Sequence, residues 1–153
     1  MTTPDPSGEG RSDVVLRDQL SGLQALLALS MRMTDSNDET QILRLASTAV
    51  PSLGRCRMVG AHLSDDGWHP PPESPGQAQQ RSEVAAELAV LGVTGGAIAV
   101  GGEEWGWAYP LRSPGYHLGY LAVSADAEPS RPEQFVLRVL AQQTGIALAN
   151  ARL

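Results

Sequence analysis

The first apolar pattern of the chain starts at Asp13 and repeats every three or four residues. Such spacing places side chains on one face of a helix, so the segment predicts a helix with an apolar stripe. A second apolar set, from Val15 to Met33, widens this stripe onto a neighbouring face. Because a helix that is apolar on two faces needs cover on two sides, we expect one side to pack on its own domain and the other on a partner helix. The first stripe consists of Leu16, Leu20, Leu23, Leu27 and Met31.

Two capping-box signatures predict further helices. Ser36 and Glu39 have the spacing at which each side chain bonds a backbone N–H group near the other residue, and a second helix should follow until the proline and glycine at 51–54 end it. Ser130 and Glu133 repeat that spacing before a last helix that reaches the end of the given sequence. No stop signal follows this helix, so we expect it to continue into a further segment.

Strands are predicted in the middle of the chain, where apolar and polar positions alternate. Asp66-Gly67 predicts a tight turn that leads from a first strand, residues 56–63, into a hairpin at Trp68. The other predicted strands are residues 95–100, 105–111 and 116–124. The two faces of the first strand are Val59, Ala61 and Leu63 on one side and Met58, Gly60 and His62 on the other.

A proline-rich segment at 69–80 separates the two groups of strands and predicts a surface loop. It is followed by helical spacing in 81–91, with Gly92 placed as a C-cap glycine. The predicted order is therefore two helices, two strands, one helix, three strands and one helix. Strands joined by hairpins, with helices at both ends, indicate an α+β fold with a central antiparallel sheet.

The composition of the chain limits the cellular compartment and the binding partners that we expect for it. The net charge of -6 disfavours binding to phosphate backbones or anionic membranes, so we expect no direct nucleic-acid contact and no membrane contact. A single cysteine precludes an intrachain disulfide, which fits a cytoplasmic protein, and with three histidines it makes a structural metal site improbable. Residues 1–12 are polar and rich in Pro, Gly and Ser, which predicts a flexible leader before a single domain at 13–153.

The C-terminal half resembles the GAF family, which is related in fold to PAS domains. The resemblance rests on Pro110-Leu111 at a strand end, on Gly119-Tyr120-Leu121 in the next strand, and on Ala-Leu-Ala-Asn-Ala-Arg-Leu at 147–153. It implies a central antiparallel sheet with the N- and C-terminal helices on one face and a pocket under a short helix on the other. A PAS domain fits less well because two helices precede the first strand. The first helix and the segment WGWAYPLRS also resemble bacterial, in particular actinobacterial, sequences.

The resemblance implies a sensor domain of a signalling or transcription-regulatory protein, and not an enzyme. Such a domain binds a small molecule, forms a homodimer through its terminal helices and relays a signal through the last helix to an effector that this chain does not contain. We find no sequence motif of a hydrolase, a P-loop or a dinucleotide site. The expected dimer interface comprises Leu16, Leu20, Leu23, Leu27, Val136, Leu140 and Ala147.

The expected ligand pocket, for a small molecule that the sequence does not identify, is based on the aromatic residues of the strands. Alternating aromatic residues are usually core, but on a sheet that carries a pocket they can line a site for a planar ligand. The expected pocket residues are Met58, His62, Trp68, Trp105, Trp107 and Tyr109.

Other functions of the family rank below small-molecule sensing. A ligand-free dimerisation scaffold, its pocket filled by its own aromatic residues, is the first alternative. Haem ligation by His62 is disfavoured because a chain with one Phe offers little apolar lining, and we expect no cofactor and no metal. A reductase that cycles a disulfide needs a second thiol besides Cys56. Cyclic-nucleotide-binding members carry a lysine signature, and this chain contains no lysine.

Overall fold

The computed structural model describes residues 6–153, with side chains from Asp13 onward except at position 15. Within that part of the chain, the order of helices and strands predicted from the sequence is confirmed. The helices are α1 (Pro6–Thr34), α2 (Glu39–Gly54), α3 (Pro75–Leu88) and α4 (Arg131–Ala151). The strands are β1 (Arg57–Leu63), β2 (Gly67–His69), β3 (Gly96–Ala97), β4 (Trp105–Ser113) and β5 (Tyr116–Ala125).

The strands form one antiparallel sheet in the order β2-β1-β5-β4-β3. Helices α1, α2 and α4 share a large core with one face of this sheet, which we call the helix side. Helix α3 packs in a smaller core on the opposite face, the α3 side. The predicted α+β architecture, with terminal helices on one face and a short helix on the other, is confirmed.

The helix-side core centres on α4, whose apolar stripe is buried against β4, α2 and α1. Leu137, Leu140 and Leu148 are fully buried there. The helix and strand backbones meet at Gly145, where an added Cβ atom would lie 2.5 Å from the backbone nitrogen of Arg112. The capping box predicted at the start of α4 is present, with Ser130 and Glu133 each bonding the other's backbone N–H.

Helix boundaries differ from the predicted ones in α1, α2 and α3. Helix α1 begins at Pro6, so residues 6–12 of the predicted leader are helical, and the rest of it lies outside the described residues. Helix α2 is capped by Asp38, whose carboxylate accepts from the Thr40 backbone N–H. The predicted cap at Ser36 is therefore wrong, whereas the predicted end at 51–54 is confirmed, because the helix includes Pro51 and ends at Gly54.

Helix α3 begins six positions before the predicted start at Arg81, inside the segment that the prolines indicated as a loop. Ser74 caps it by accepting from the Gln77 backbone N–H, and Pro75 occupies its first turn. A proline there is compatible with a helix because its missing N–H would have no helical partner. The helix ends at Leu88 and not near Leu91.

Two irregularities in the strands change which side chains share a face. In β1 the register shifts between Met58 and Gly60, so Val59 packs on the α3 side while Ala61 and Leu63 remain on the helix side. In β5 the pairing with β4 shifts beside Leu111, and Leu118 joins the helix side while Tyr120 lies on the α3 side. The face predicted for Val59 is therefore wrong, and simple alternation along β5 would likewise have placed Leu118 with Tyr120.

Candidate functional site

The six residues expected to line a pocket lie on two different sides of the sheet. Trp105, Trp107 and Tyr109 share a face, as the alternation predicts, and their rings follow each other at centroid distances of 6.3 and 6.4 Å. That face is the helix side, where Met58 also packs. The assignment of these four residues to the pocket is corrected, because they contribute to the helix-side core.

The other two residues of that set, His62 and Trp68, lie together on the α3 side. They face each other across β1 and β2, and their rings meet edge to face at 4.9 Å. On the other side of β1, His62 pairs with Tyr120 of β5. Tyr120 in turn contacts the ring of His117 at 4.8 Å. The α3 side thus carries a continuous row across three strands, Trp68–His62–Tyr120, with His117 at its end.

Arg81 of α3 completes this row, and sequence reasoning did not identify it. Its guanidinium carbon lies 5.7 Å from the Trp68 ring centroid, within the range of a cation–π contact. Its Nη1 donates to the Pro70 carbonyl, so Arg81 also holds the segment before α3. Arg81 shares helical spacing with Val84 and Leu88, and all three are buried, but spacing alone does not distinguish this arginine from a solvent-facing one.

Gly60 lets the Trp68 ring lie flat against β1. A Cβ atom at Gly60 would lie 2.9 Å from Cε3 of the indole, and its φ of +155° is a conformation that L side chains rarely adopt. Trp68 therefore sits between the backbone of the sheet and the Arg81 guanidinium. Tyr120 fixes the far end of the row, since its hydroxyl donates to the carbonyls of Leu91 and Gly92 at 3.2 and 2.9 Å.

Burial keeps the two imidazoles of the row neutral. It lowers the pKa of His62, and it lowers the pKa of His117 together with the nearby Arg112 charge. Both groups therefore lose their proton below the ordinary value of about 6.5. The Nδ1 atom of His117 is buried without a hydrogen-bond partner. The row combines one cation with neutral aromatic rings, a composition that suits recognition of a ligand more than proton transfer.

Cys56 lies on the helix side, at the start of β1. Burial, and secondarily the Glu133 carboxylate, raises the pKa of its thiol to about 11. Because the thiolate is the nucleophile, a thiol that stays protonated at neutral pH is unreactive. A shallow groove of about 300 Å³ runs past Cys56. Near it, Arg57 forms a bidentate pair with Asp126 at 2.9 and 3.0 Å and also bonds Glu103.

The residues expected at a dimer interface separate into two groups. Leu16, Leu20, Leu23 and Leu27 on α1 are 44–64% exposed, and Met31 continues their stripe. Val136, Leu140 and Ala147 on α4 are instead buried in the helix-side core. The expectation that these α4 residues lie at a dimer interface is therefore wrong, because the apolar stripe of α4 packs within the domain.

A groove of about 610 Å³ between α1 and α2 lies on the outer surface of the helix side. Small and apolar side chains such as Ala28 and Ala49 line it together with Arg32 and Arg44. Residues 6–153 show no cluster of three or more His, Cys, Asp or Glu side chains placed to hold a metal ion. Among the helices of this same part of the chain, none combines the length and apolarity that crossing a membrane requires.

Comparisons with known proteins concern the fold. Neither a protein-family model nor a curated protein matches the sequence. A solved structure does match, namely the native GAF domain of the potassium sensor histidine kinase KdpD from Escherichia coli. The two chains are 16% identical, the alignment covers 83% of this chain and 92% of that one, and the TM-score is 0.52. The chain therefore has a GAF-like fold, as its C-terminal motifs indicated.

Proposed function

We propose that this chain is a small-molecule-sensing and dimerisation domain of a cytoplasmic bacterial signalling or transcription-regulatory protein. It relays through α4 to an effector and catalyses no reaction. The observation that carries the proposal is the exposed leucine stripe on α1. The GAF-like fold supports it, since a domain of that fold occurs in a sensor histidine kinase.

The leucine stripe has the spacing of a coiled-coil seam. Leu16 and Leu23 are separated by one heptad, as are Leu20 and Leu27, and the two pairs interleave at alternating steps of four and three. Helices with this pattern pair so that each apolar side chain fits among those of the partner. The buried residues of α1, Leu26, Leu29 and Met33, lie on a different face, so the helix can pack on its own domain and on a second copy together.

The row on the α3 side supports the sensing part of the proposal. Pockets that recognise small molecules combine apolar and aromatic walls with a few polar groups, and the row has both. A ligand that changes the position of Trp68 or α3 would act on the β1–β2 hairpin. That hairpin is joined to the end of α4 through Asp65 and Arg152. The connection gives a route by which ligand binding shifts the population of α4 conformations.

A ligand-free dimerisation scaffold is the second candidate, and the packing of the α3 side favours it. Trp68, Val84, Leu88 and Tyr120 already fill that face with the domain's own side chains. In such a scaffold α1 pairs as proposed, but no small molecule alters the domain. A reductase or haem protein ranks lower, because the Cys56 thiol is held protonated and His62 packs edge-on against Trp68.

Light scattering coupled to size exclusion tests the dimer. The wild-type chain is expected to have twice the monomer mass, and the double variant Leu20→Gln, Leu27→Gln is expected to be monomeric. The double variant Val90→Gln, Val93→Gln is the matched control, because it removes two exposed apolar side chains from the segment after α3 and leaves the α1 stripe intact. A monomeric wild type at every concentration, or equal dissociation of both variants, would contradict the proposal.

A further inference from the structure

Arg81 presents a nearly buried positive charge without a matching negative one. Only 8% of the residue is exposed. None of the carboxylates in the described part of the chain forms an ion pair with it, whereas Arg55, Arg57 and Arg152 each pair with at least one. Burial lowers the pKa of Arg81, and the Glu73 carboxylate opposes this only in part, from beyond ion-pair distance. Buried cations are normally paired, so this arrangement calls for a counter-ion.

The guanidinium still has hydrogen-bond donors to offer. It has five N–H groups, and the one hydrogen bond that it makes to described residues is donated by Nη1 to the Pro70 carbonyl. Within the described residues, the buried side-chain polar atoms without a partner belong to Glu103 and His117. The remaining nitrogens of Arg81 are therefore in contact with solvent.

The neighbours of Arg81 fix its orientation before any ligand arrives. Trp68 lies below the guanidinium, backed by the β1 backbone at Gly60, and the Pro70 carbonyl holds one edge. A planar guanidinium held in this way presents a fork of donors that matches the two oxygens of a carboxylate. Trp68, which carries the guanidinium, and His62, which meets Trp68 edge to face, are each partly exposed.

From this geometry we propose that the sensed ligand is a small carboxylate that carries a planar group. The carboxylate pairs with the free edge of the Arg81 guanidinium, and the planar group stacks beside His62 and Trp68. This inference rests on the proposed sensing function and names the chemical class that the site recognises. In a chain with net charge -6, an ordered arginine that forms no ion pair with a described carboxylate is also a selective attachment point for an anion.

Trp68 provides the readout. The chain has three tryptophans, so the double variant Trp105→Phe, Trp107→Phe leaves Trp68 as the single fluorophore. In this background, benzoate is expected to change the fluorescence saturably. Benzamide, which has the same shape and no charge, is expected to bind at least about tenfold more weakly than benzoate. Acetate tests the need for the planar group, and inorganic phosphate tests whether any oxyanion suffices.

Three substitutions in the same background test whether the benzoate-induced change in Trp68 fluorescence depends on Arg81. Arg81→Gln is expected to lose benzoate binding by at least about tenfold. Arg44→Gln, which removes an exposed arginine on α2, is the matched control and is expected to change nothing. Glu73→Gln removes the one carboxylate that interacts with Arg81 and is expected to strengthen binding. Because Glu73 is exposed, this variant keeps the test valid even if Arg81→Gln unfolds the domain.

The possible results separate this inference from the proposed function. Equal binding of benzoate and benzamide, or benzoate binding that neither Arg81→Gln nor Glu73→Gln changes, would overturn the carboxylate assignment and leave a sensor of another ligand class. Phosphate binding as tight as benzoate would also overturn it in favour of a general oxyanion site. No saturable response to any probe would overturn it as well, without deciding between a sensor of another ligand class and the scaffold. The dimer mass is measured independently of all these outcomes.

Discussion

Arg152 donates two parallel hydrogen bonds to Asp65, from Nη1 to Oδ2 at 3.0 Å and from Nη2 to Oδ1 at 3.2 Å. The pair joins the end of α4 to the turn between β1 and β2. The Nε atom of Arg152 also donates to the Glu39 carboxylate in the first turn of α2. Arg152 therefore connects the proposed output helix to the hairpin that carries Trp68, at a point where both reach the surface.

Asp65→Asn is expected to loosen this connection with little effect on global stability. Ion pairs between partly exposed groups contribute about 0.5 kcal/mol, so the free energy of unfolding should fall by about that amount. Amide hydrogen exchange at the end of α4 and in the β1–β2 turn should accelerate. Asp66→Asn is the matched control, because Asp66 bonds His69 and not Arg152. Unchanged exchange at the end of α4 would show that the pair does not couple the two segments.

Gly145→Ala is expected to destabilise the domain where α4 meets β4. The added Cβ atom would lie 2.5 Å from the backbone nitrogen of Arg112, so backbone has to move, at a cost of about 1–3 kcal/mol. Gly22→Ala in α1 is the matched control, since nothing lies within 4 Å of its added Cβ atom. That variant is expected to be up to about 1 kcal/mol more stable, because alanine favours a helix. Urea unfolding of both variants measures the difference, and equal stabilities would contradict the close packing of α4 on β4.

The Cys56 thiol predicts a loss of stability at alkaline pH. The unfolded chain releases this proton near pH 9.0, whereas the folded chain holds it to about 11. Between these values the unfolded state binds fewer protons, so the free energy of unfolding falls as the pH rises. The loss approaches about 3 kcal/mol above pH 11. Cys56→Ala should show a shallower decline than the wild type from pH 9 to 11, and identical slopes would rule out the thiol as the cause.

Much of the fold was predictable because its signals are local. The Ser130–Glu133 capping box, the Asp66-Gly67 turn and the shared face of Trp105, Trp107 and Tyr109 each depend on neighbours in sequence. Alternation shows which side chains point the same way, but not which layer covers them. The helix side takes the aromatic face because α1, α2 and α4 together present more apolar surface than α3 does.

Two features of the α3 side depend on non-local geometry. The register shift next to Gly60 places Val59 on the α3 side, and a glycine inside a strand was the only sign of it. Arg81 occupies the first position of a buried helical stripe, where an arginine looks like a solvent-facing residue until its contact with Trp68 is known. The aromatic row could be found in part from sequence, whereas its cation could not.

Single-cysteine cross-linking tests most directly whether two copies of the chain pair through the exposed α1 stripe. Because Cys56 is the one cysteine of the chain, Cys56→Ser provides a thiol-free background for Leu20→Cys in the stripe and Ser21→Cys on another exposed face of α1. If two copies pair along the stripe, mild oxidation converts the Leu20→Cys protein to a covalent dimer and leaves the Ser21→Cys protein monomeric. Equal cross-linking of the two proteins, or none in either, would contradict dimerisation through α1.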